Sequence, residues 1–216
     1  MTGQPDGPVD PWALRDHSED YLAEDEVLLA ARDAANQLGC APIGPGAGAG
    51  LRFLAATISA RAVVEIGTGA GVSGLWLLRG MSPDGVLTSI DIDPEFQRVA
   101  RRAYTAAGHG PSRLRLINGL GLEVLPRLTD GGYDLVFVDC EPADHPRYLE
   151  EAVRLLRVGG IVVLNQALVA GAPPAEGDAP APVALREAAR QVRADDRLVP
   201  VLLPLGNGLL AAVKKG

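Results

Sequence analysis

The stretch Val63-Val64-Glu65-Ile66-Gly67-Thr68-Gly69-Ala70-Gly71 decides the fold that we expect for this chain. A short apolar run typical of a buried strand passes directly into a loop with a glycine at every second position. Glycines allow a sharp turn and a close approach of the backbone to a ligand, and the next helix presents partial positive charge at its N-terminus. The stretch therefore predicts a strand, a ligand-binding loop and a helix in succession.

The carboxylate of Glu65 limits the ligand that this loop can hold. In a dinucleotide-binding protein the helix end faces a pyrophosphate, which a neighbouring carboxylate would repel. The spacing Gly67-x-Gly69-x-Gly71 also differs from the dinucleotide pattern G-x-G-x-x-G, because Val72 stands where the third small residue belongs. An acid here favours a ligand with positive charge, such as the ammonium and sulfonium groups of S-adenosylmethionine (SAM).

Strand-like and helix-like segments alternate after residue 61, and their continuous apolar strands indicate a parallel sheet covered on both faces. The predicted strands are Ala62–Ile66, Val86–Asp91, Leu114–Ile117, Tyr133–Asp139, Gly160–Leu164, Leu198–Leu203 and Leu209–Lys214. The predicted helices between them are Gly71–Arg79, Pro94–Ala107, Leu122–Leu128, Pro146–Arg157 and Pro182–Ala194. The last two strands flank the tight-turn sequence Gly206-Asn207-Gly208, which predicts a closing antiparallel hairpin.

The residues before the first strand predict an extension to this core. We expect a disordered tail, a long helix, a loop and a short helix, at residues 1–10, Pro11 to about Leu38, Cys40–Gly50 and Leu51–Ala60. The predicted organisation is thus a tail, a helical cap over residues 11–60 and a core over residues 61–216. A loop rich in Ala, Pro and Gly from Gln166 to Pro182 lies where a substrate lid would be.

The composition is that of one globular domain with a small-molecule ligand. The chain has 216 residues, 47% of them hydrophobic, which suffices for a substantial core. Its net charge of -7 argues against binding to nucleic acid or to an anionic membrane, since both need clustered Lys and Arg. Cys40 and Cys140 form neither a metal-ligand pattern nor a disulfide framework. With no signal peptide at Met1–Asp10 and no apolar run of membrane-span length, we expect a cytoplasmic protein.

Acids follow several of the predicted strands, at Glu65, Asp91, Asp139 and Glu141. Ligands of open α/β sheets bind outside the carboxyl ends of the strands, so these acids predict one crevice. Asp91 follows the glycine loop at the distance of an acid that accepts hydrogen bonds from a ribose diol. The alternative is that each acid only caps the helix that follows it.

The chain resembles the class I SAM-dependent O-methyltransferases of the catechol and caffeoyl-coenzyme A type, from about Ile43 to its C-terminus. The resemblance is carried by Val64-Glu65-Ile66-Gly67-Thr68-Gly69, Ser73, Ser89-Ile90-Asp91-Ile92-Asp93-Pro94-Glu95, Leu135-Val136-Phe137-Val138-Asp139, Leu155-Leu156-Arg157-Val158-Gly159-Gly160 and Pro204-Leu205-Gly206-Asn207-Gly208. It implies a Rossmann-like class I methyltransferase fold with a mostly parallel seven-stranded sheet, SAM as methyl donor and S-adenosylhomocysteine as product. The family habit and the N-terminal helical extension also suggest a homodimer.

The resemblance implies roles for individual residues. The cofactor would be bound by Glu65 and Ser73 at its methionine part, Gly67 and Thr68 through their backbone, Asp91 at the ribose, Ile92 at the adenine, Ile43 at the methionine end, and Glu141. Asp139 would face the metal or the substrate and is the predicted catalytic residue.

Three departures from the family pattern matter, two of them in the catalytic half and the third at the adenine edge of the cofactor site. The family's lysine after the fourth strand is absent from Asp139-Cys140-Glu141-Pro142, and its metal-binding Asp-Asn pair is replaced by Asn165-Gln166. The family's Gly-Asp-Ala is Gly119-Leu120-Gly121. Hard cations want anionic oxygens, so we expect no metal ligands and a metal-independent branch.

The candidate bases are therefore Asp139 alone or His145, which titrates near neutral pH. Each has a plain alternative: Asp139 as a helix cap or an unused relic, and His145 as an exposed loop residue. We expect O-methylation of a small hydroxylated acceptor, phenolic or enolic, because an acidic hydroxyl needs little help from a base. A non-catalytic SAM-binding or scaffold protein stays the alternative, and an NAD-dependent oxidoreductase is opposed by Glu65, Val72 and the terminal hairpin.

Overall fold

The computed structural model describes residues 10–171 and 179–216, so the predicted tail over residues 1–9 lies outside the described residues. The strands are β1 Ala62–Ile66, β2 Val86–Asp91, β3 Leu114–Asn118, β4 Tyr133–Val138, β5 Leu156–Leu164, β6 Leu198–Leu203 and β7 Leu209–Lys214. The helices are α1 Pro11–Glu19, α2 Glu26–Gln37, α3 Pro45–Thr57, α4 Val72–Gly80, α5 Pro94–Ala106, α6 Gly121–Val124, α7 His145–Leu155 and α8 Pro180–Ala194.

The strands form one seven-stranded sheet in the order β3-β2-β1-β4-β5-β7-β6. Strands β1 to β5 are parallel, and β7 runs antiparallel to both β5 and β6. The predicted mostly parallel sheet with a C-terminal antiparallel hairpin is confirmed. The chain leaves β1 towards β2 and β3, then returns to place β4 on the other side of β1. Ligands of such sheets bind where the strand order reverses, at the carboxyl ends of β1 and β4.

Both faces of the sheet are buried, as the apolar strands predict. One face packs on α2 to α5, and its core includes Leu51, Leu75 and Phe137. The other face packs on α7 and α8, and its core includes Val136 and Val153. Since α2 and α3 share one cluster with the sheet, the helices before β1 are packed into the main core. The domain boundary at residue 61 stays a prediction.

The single long helix predicted from Pro11 to about Leu38 is wrong: the structure has two helices there, α1 and α2. The break lies at residues 20–25, where Asp25 caps α2 by accepting a hydrogen bond from the backbone N–H of Leu28 at 3.1 Å. A capping acid in the middle of an apolar pattern starts a new helix, since its side chain replaces the missing carbonyl partner.

Two further boundaries differ from the prediction for local reasons. The helix predicted from Leu51 begins at Pro45, whose ring preorganises the first helical position. The helix predicted to end at Arg157 ends at Leu155, because Leu156 already pairs with Tyr133 in the sheet across a β-bulge. The loop predicted from Gln166 to Pro182 begins with a 3-10 helix at Ala167–Gly171. Its residues 172–178 lie outside the described residues.

Over the described ranges, none of the helices combines the length and the apolar character that crossing a membrane requires.

Candidate active site

A cavity of about 360 Å³ opens at the carboxyl ends of β1 and β4, and we name it the glycine-loop cavity. It is lined by Cys40, Ala41, Pro42, Ile43, Gly67, Thr68, Gly69, Ala70, Val72, Ser73, Asp91, Ile92, Phe96, Asp139, Cys140, Glu141, Pro142 and Gln166. Every residue predicted for the site lies in this lining except Glu65. The structure thus brings together residues from distant parts of the chain in a cavity of the size that small ligands occupy.

The glycine loop forms the floor of this cavity and needs its glycines. Gly67 has a φ of +97°, and a Cβ on it would overlap the backbone carbonyl of Asp139. Gly69, with a φ of +49°, donates its backbone N–H to Oδ2 of Asp91 at 2.9 Å. The loop therefore lies directly against β4 and binds the acid at the end of β2, which leaves the backbone itself exposed to a ligand.

Glu65 lies beneath the loop, not in the cavity wall, with none of its surface exposed. Its two oxygens accept hydrogen bonds from Oγ of Ser73 at 2.6 Å and Oγ of Ser89 at 2.5 Å. Ser89 in turn lies 2.7 Å from the hydroxyl of Thr68. Burial raises the pKa of Glu65 to about 8, although the two serine hydroxyls lower it. Glu65 thus orders Ser73 and Thr68, the two hydroxyls that do line the cavity.

Asp139 follows β4 and faces the cavity beside Asn165, the first residue after β5. Asn165 donates its side-chain Nδ2 to Oδ1 of Asp139 at 2.7 Å. Burial raises the pKa of Asp139 to about 6, and the amide of Asn165 partly lowers it. The carboxylate is therefore ionised near neutral pH, is fixed through one oxygen, and has a pKa suited to proton transfer.

A second cavity, of about 450 Å³, lies next to the first and we name it the α1 cavity. It is lined by Arg15, Glu19, Ala41, Pro42, Ile43, Gly44, Ala47, Asp139, Asn165, Gln166, Gly206 and Asn207. The two cavities share Ala41, Pro42, Ile43, Asp139 and Gln166. Among the residues that the structure describes, Asp139 is the only carboxylate common to both linings, so two ligands bound in the two cavities would meet at this side chain.

The strand-end acids do not cap the helices that follow them, as the alternative would require. The cap of α5 is Asp93, which accepts a hydrogen bond from the N–H of Glu95 at 2.8 Å, as Pro94 at the first helical position predicts. Asp91 instead accepts from Gly69 and from the N–H of Asp93 at 3.0 Å. Neither α4 nor α7 has a side-chain cap. None of these acids therefore caps the helix that follows its strand.

His145 is not the exposed loop residue of the plain alternative, since it is fully buried at the start of α7. It lines neither cavity, and both ring nitrogens lack a hydrogen-bond partner among the described residues. Burial lowers its pKa to about 4. The geometry therefore favours Asp139 over His145 as the base of this site.

The residues around Asp139 do not fit a hard divalent cation. Asn165 points its amide nitrogen, a donor, at the carboxylate oxygen that a cation would need. Neither Asn165 nor Gln166 brings negative charge, and Mg²⁺ and Ca²⁺ are held mainly by anionic oxygens. No group of three or more His, Cys, Asp or Glu side chains suited to a metal is found in residues 10–171 and 179–216.

Arg15 and Glu19 had no signal in the sequence, whereas Ser89 and Gln166 appeared there only within family motifs. Arg15 and Glu19 reach the α1 cavity from a helix far from it along the chain, and only the tertiary structure brings them there. Gln166 has a φ of +62°, an unusual conformation for a residue with a side chain, and it lines both cavities. Ser89 is paired with Glu65 in the parallel register of β1 and β2, which places both side chains on the same face of the sheet.

The chain is similar to O-methyltransferases along almost its whole length. A family model described as O-methyltransferase matches residues 16–215. A protein of Mycobacterium marinum that bears the name "Putative O-methyltransferase" is 54% identical over 214 residues, which are 98% of this chain and 95% of that protein.

Solved structures agree with this similarity. A crystal structure of a Corynebacterium glutamicum protein has a TM-score of 0.88 and 32% identity, over 95% of this chain and 97% of the other. The O-methyltransferase TomG from Streptomyces achromogenes, involved in tomaymycin synthesis and crystallised in complex with SAM, has a TM-score of 0.84 and 27% identity. That comparison covers 94% of this chain and 96% of TomG.

Proposed function

The chain belongs to the O-methyltransferase family, and from this premise we propose that it methylates a small phenolic or enolic hydroxyl with Asp139 as the base. SAM is the methyl donor of this enzyme, and S-adenosylhomocysteine is its product. The acceptor class and the roles of the residues are the proposal.

One observation carries the proposal: the glycine-loop cavity and the α1 cavity meet at Asp139. Methyl transfer is an in-line displacement, and its acceleration depends on holding the acceptor oxygen against the methyl group in the correct orientation. When bound, SAM supplies a methyl group on a sulfonium, which the hydroxyl oxygen attacks. We assign the glycine-loop cavity to SAM and the α1 cavity to the acceptor.

The residues of the glycine-loop cavity suit this cofactor. Gly67 and Thr68 line this cavity, and Asp91 lies at the end of β2 with oxygens able to accept from a ribose. Ile92 is 64% exposed at the rim, where it can cover an adenine ring. We propose that Ser73, Ile43 and Glu141 contact the methionine end and the remaining polar groups, and that Glu65 acts on the cofactor through Ser73.

Asp139 is proposed to hold the acceptor hydroxyl and to take its proton as the new bond to carbon forms. Its raised pKa of about 6 keeps it ionised at neutral pH and brings it closer to the pKa of an acidic phenol or enol. Asn165 fixes one oxygen of the carboxylate, so the other can face the acceptor. Because Asn165 and Gln166 bring no negative charge to Asp139, we propose that the reaction is independent of a metal.

The experiment that tests the function combines calorimetric titration of SAM with a turnover assay over a panel of phenols and enols, with EDTA or with Mg²⁺. We expect SAM binding and transfer to at least one acidic hydroxyl in EDTA, with no more than about twofold stimulation by Mg²⁺. SAM binding without turnover in either condition would favour the non-catalytic alternative. Turnover that requires Mg²⁺ would overturn the metal-independent reaction.

We also propose a homodimer and a cytoplasmic location. An apolar groove between the end of α1, α3 and β6 exposes Tyr21, Leu22, Phe53 and Val201, an arrangement typical of interfaces. The free thiols of Cys40 and Cys140 suit a reducing compartment. Light scattering that gives the mass of two chains for the wild type and of one chain for Phe53→Glu would support the dimer. Cell fractionation tests the location.

A further inference from the structure

The carboxylate of Glu19, the last residue of α1, joins three parts of the wall of the α1 cavity. Its Oε2 accepts a hydrogen bond from the backbone N–H of Gly46 at 3.0 Å, and its Oε1 accepts one from the N–H of Gly206 at 2.6 Å. Arg15, four residues earlier, donates to the carbonyl of Gly206 at 2.8 Å. Helix α1 is thereby bound to the start of α3 and to the turn between β6 and β7.

The N-terminus of α3 has both the free N–H groups and the space that this carboxylate needs. Gly44, the N-cap of α3, provides no side-chain hydrogen bond, so the first-turn N–H groups of this helix need another acceptor. Glu19 supplies one, and its negative charge is favourable at a helix N-terminus. A Cβ on Gly44 or on Gly46 would collide with the Glu19 carboxylate, so the two glycines leave the space that it occupies.

We propose that Glu19 is a positioning residue for the methyl acceptor, because it holds α1 in the wall of the α1 cavity and so sets the width of that cavity. This inference rests on the proposed function, since it assigns the α1 cavity to the acceptor. Glu19 lines the α1 cavity but not the glycine-loop cavity. Loss of its carboxylate therefore weakens binding of the acceptor and leaves binding of SAM intact.

The experiment compares Glu19→Ala, Glu19→Gln and the control Asp16→Ala, which removes an exposed acid from the same helix. The probes are catechol and 2,3-dihydroxynaphthalene, titrated in the presence of S-adenosylhomocysteine, together with the KM and kcat of each. Glu19→Ala removes acceptors for two backbone N–H groups, so we expect catechol to bind about tenfold more weakly. Glu19→Gln keeps one acceptor oxygen and should lose less, and Asp16→Ala should match the wild type.

Size selection distinguishes positioning from a merely structural role. If Glu19 fixes the position of the wall of the α1 cavity, Glu19→Ala raises the KM for catechol and keeps the SAM Kd within about twofold. The same substitution then shifts the preference of the enzyme towards 2,3-dihydroxynaphthalene. A lower melting temperature with unchanged catechol affinity would overturn the inference while leaving the proposed function in place. So would a wild type that binds SAM but not catechol. A wild type that binds no SAM would instead contradict the proposed function.

Discussion

Asn165 donates its side-chain amide to Asp139, with 2.7 Å between Nδ2 and Oδ1. The two residues come from neighbouring strands of the sheet, β5 and β4, and lie where the two cavities meet. A second carboxylate in place of Asn165 would repel Asp139 and create an attraction for a cation. The amide of Asn165 carries no charge, so it adds no attraction for a cation. It orients the single carboxylate of Asp139 through a hydrogen bond. We propose that this pair allows Asp139 to act as a base without a metal.

The substitution Asn165→Leu is expected to move the pH profile of the enzyme. Without the amide donor the ionised form of Asp139 loses a hydrogen bond, so its pKa rises from about 6. The acid limb of kcat/KM should shift upward by about one pH unit, because a hydrogen bond to a charged group is worth on the order of 1.5 kcal/mol. Asn36→Leu on the exposed surface of α2 is the matched control. An acid limb that stays in place would show that Asn165 does not tune Asp139.

The melting temperature of the free protein is expected to fall as pH rises from 6 to 8, because of Glu65. Its folded pKa of about 8 lies above the ordinary value of 4.5, so the folded state holds a proton that the unfolded state has lost. The contribution is fully present below the unfolded pKa and is lost as pH rises through the folded one, by about 2 kcal/mol over this window. The corresponding contribution to stability of Asp139, whose pKa is about 6, is lost mainly below this pH window. Glu65→Gln should flatten the dependence, whereas exposed Glu150→Gln should not.

Binding of SAM is expected to tighten with rising pH and to release protons. A ligand with positive charge favours the ionised form of Glu65, which burial and, to a smaller extent, Asp139 and Asp91 otherwise disfavour. Calorimetry at pH 7 in buffers of different ionisation enthalpy measures the protons released. We expect up to one proton per SAM for the wild type and a clearly smaller number for Glu65→Gln. Equal release by the two proteins would mean that Glu65 stays protonated under the bound cofactor.

The substitution Gly67→Ala is expected to damage the junction of β1 and β4 more than a comparable change elsewhere. A Cβ on Gly67 overlaps the carbonyl of Asp139, in addition to the backbone strain of its φ of +97°. Gly108, with a φ of +82° and open space around it, isolates the strain alone. Gly108→Ala should cost about 1 kcal/mol, and Gly67→Ala about 2 kcal/mol more, measured by urea unfolding. Equal losses would contradict the close packing of the glycine loop on Asp139.

The sequence predicted the strands well because their signals are local. Apolar runs with clear polar, glycine or proline boundaries define β1, β2, β6 and β7 with the bounds that the structure has. The break between α1 and α2 was missed, because a single capping acid, Asp25, outweighs an apolar pattern that continues on both sides of it. Element ends depend on such individual hydrogen bonds.

The candidate site was predicted as a set of residues, but not as a geometry. Glu65 alternates with Val64 and Ile66 in a strand that is buried on both faces, so its burial follows from the same periodicity that revealed the strand. The contact of Glu19 with Gly206 spans 187 residues and leaves no local signal. The acceptor side of the site therefore depended on the folded structure.

The pH dependence of kcat/KM for the wild type and for Asp139→Asn, in EDTA and with an acidic phenol, tests the central claim most directly. We expect the wild-type rate to rise through about pH 6 to a plateau, since Asp139 works when ionised. Asp139→Asn should keep the SAM Kd within about threefold, lose this limb, and lower kcat by about 10² or more. A variant that binds SAM and retains both the rate and the limb of the wild type would contradict Asp139 as the base.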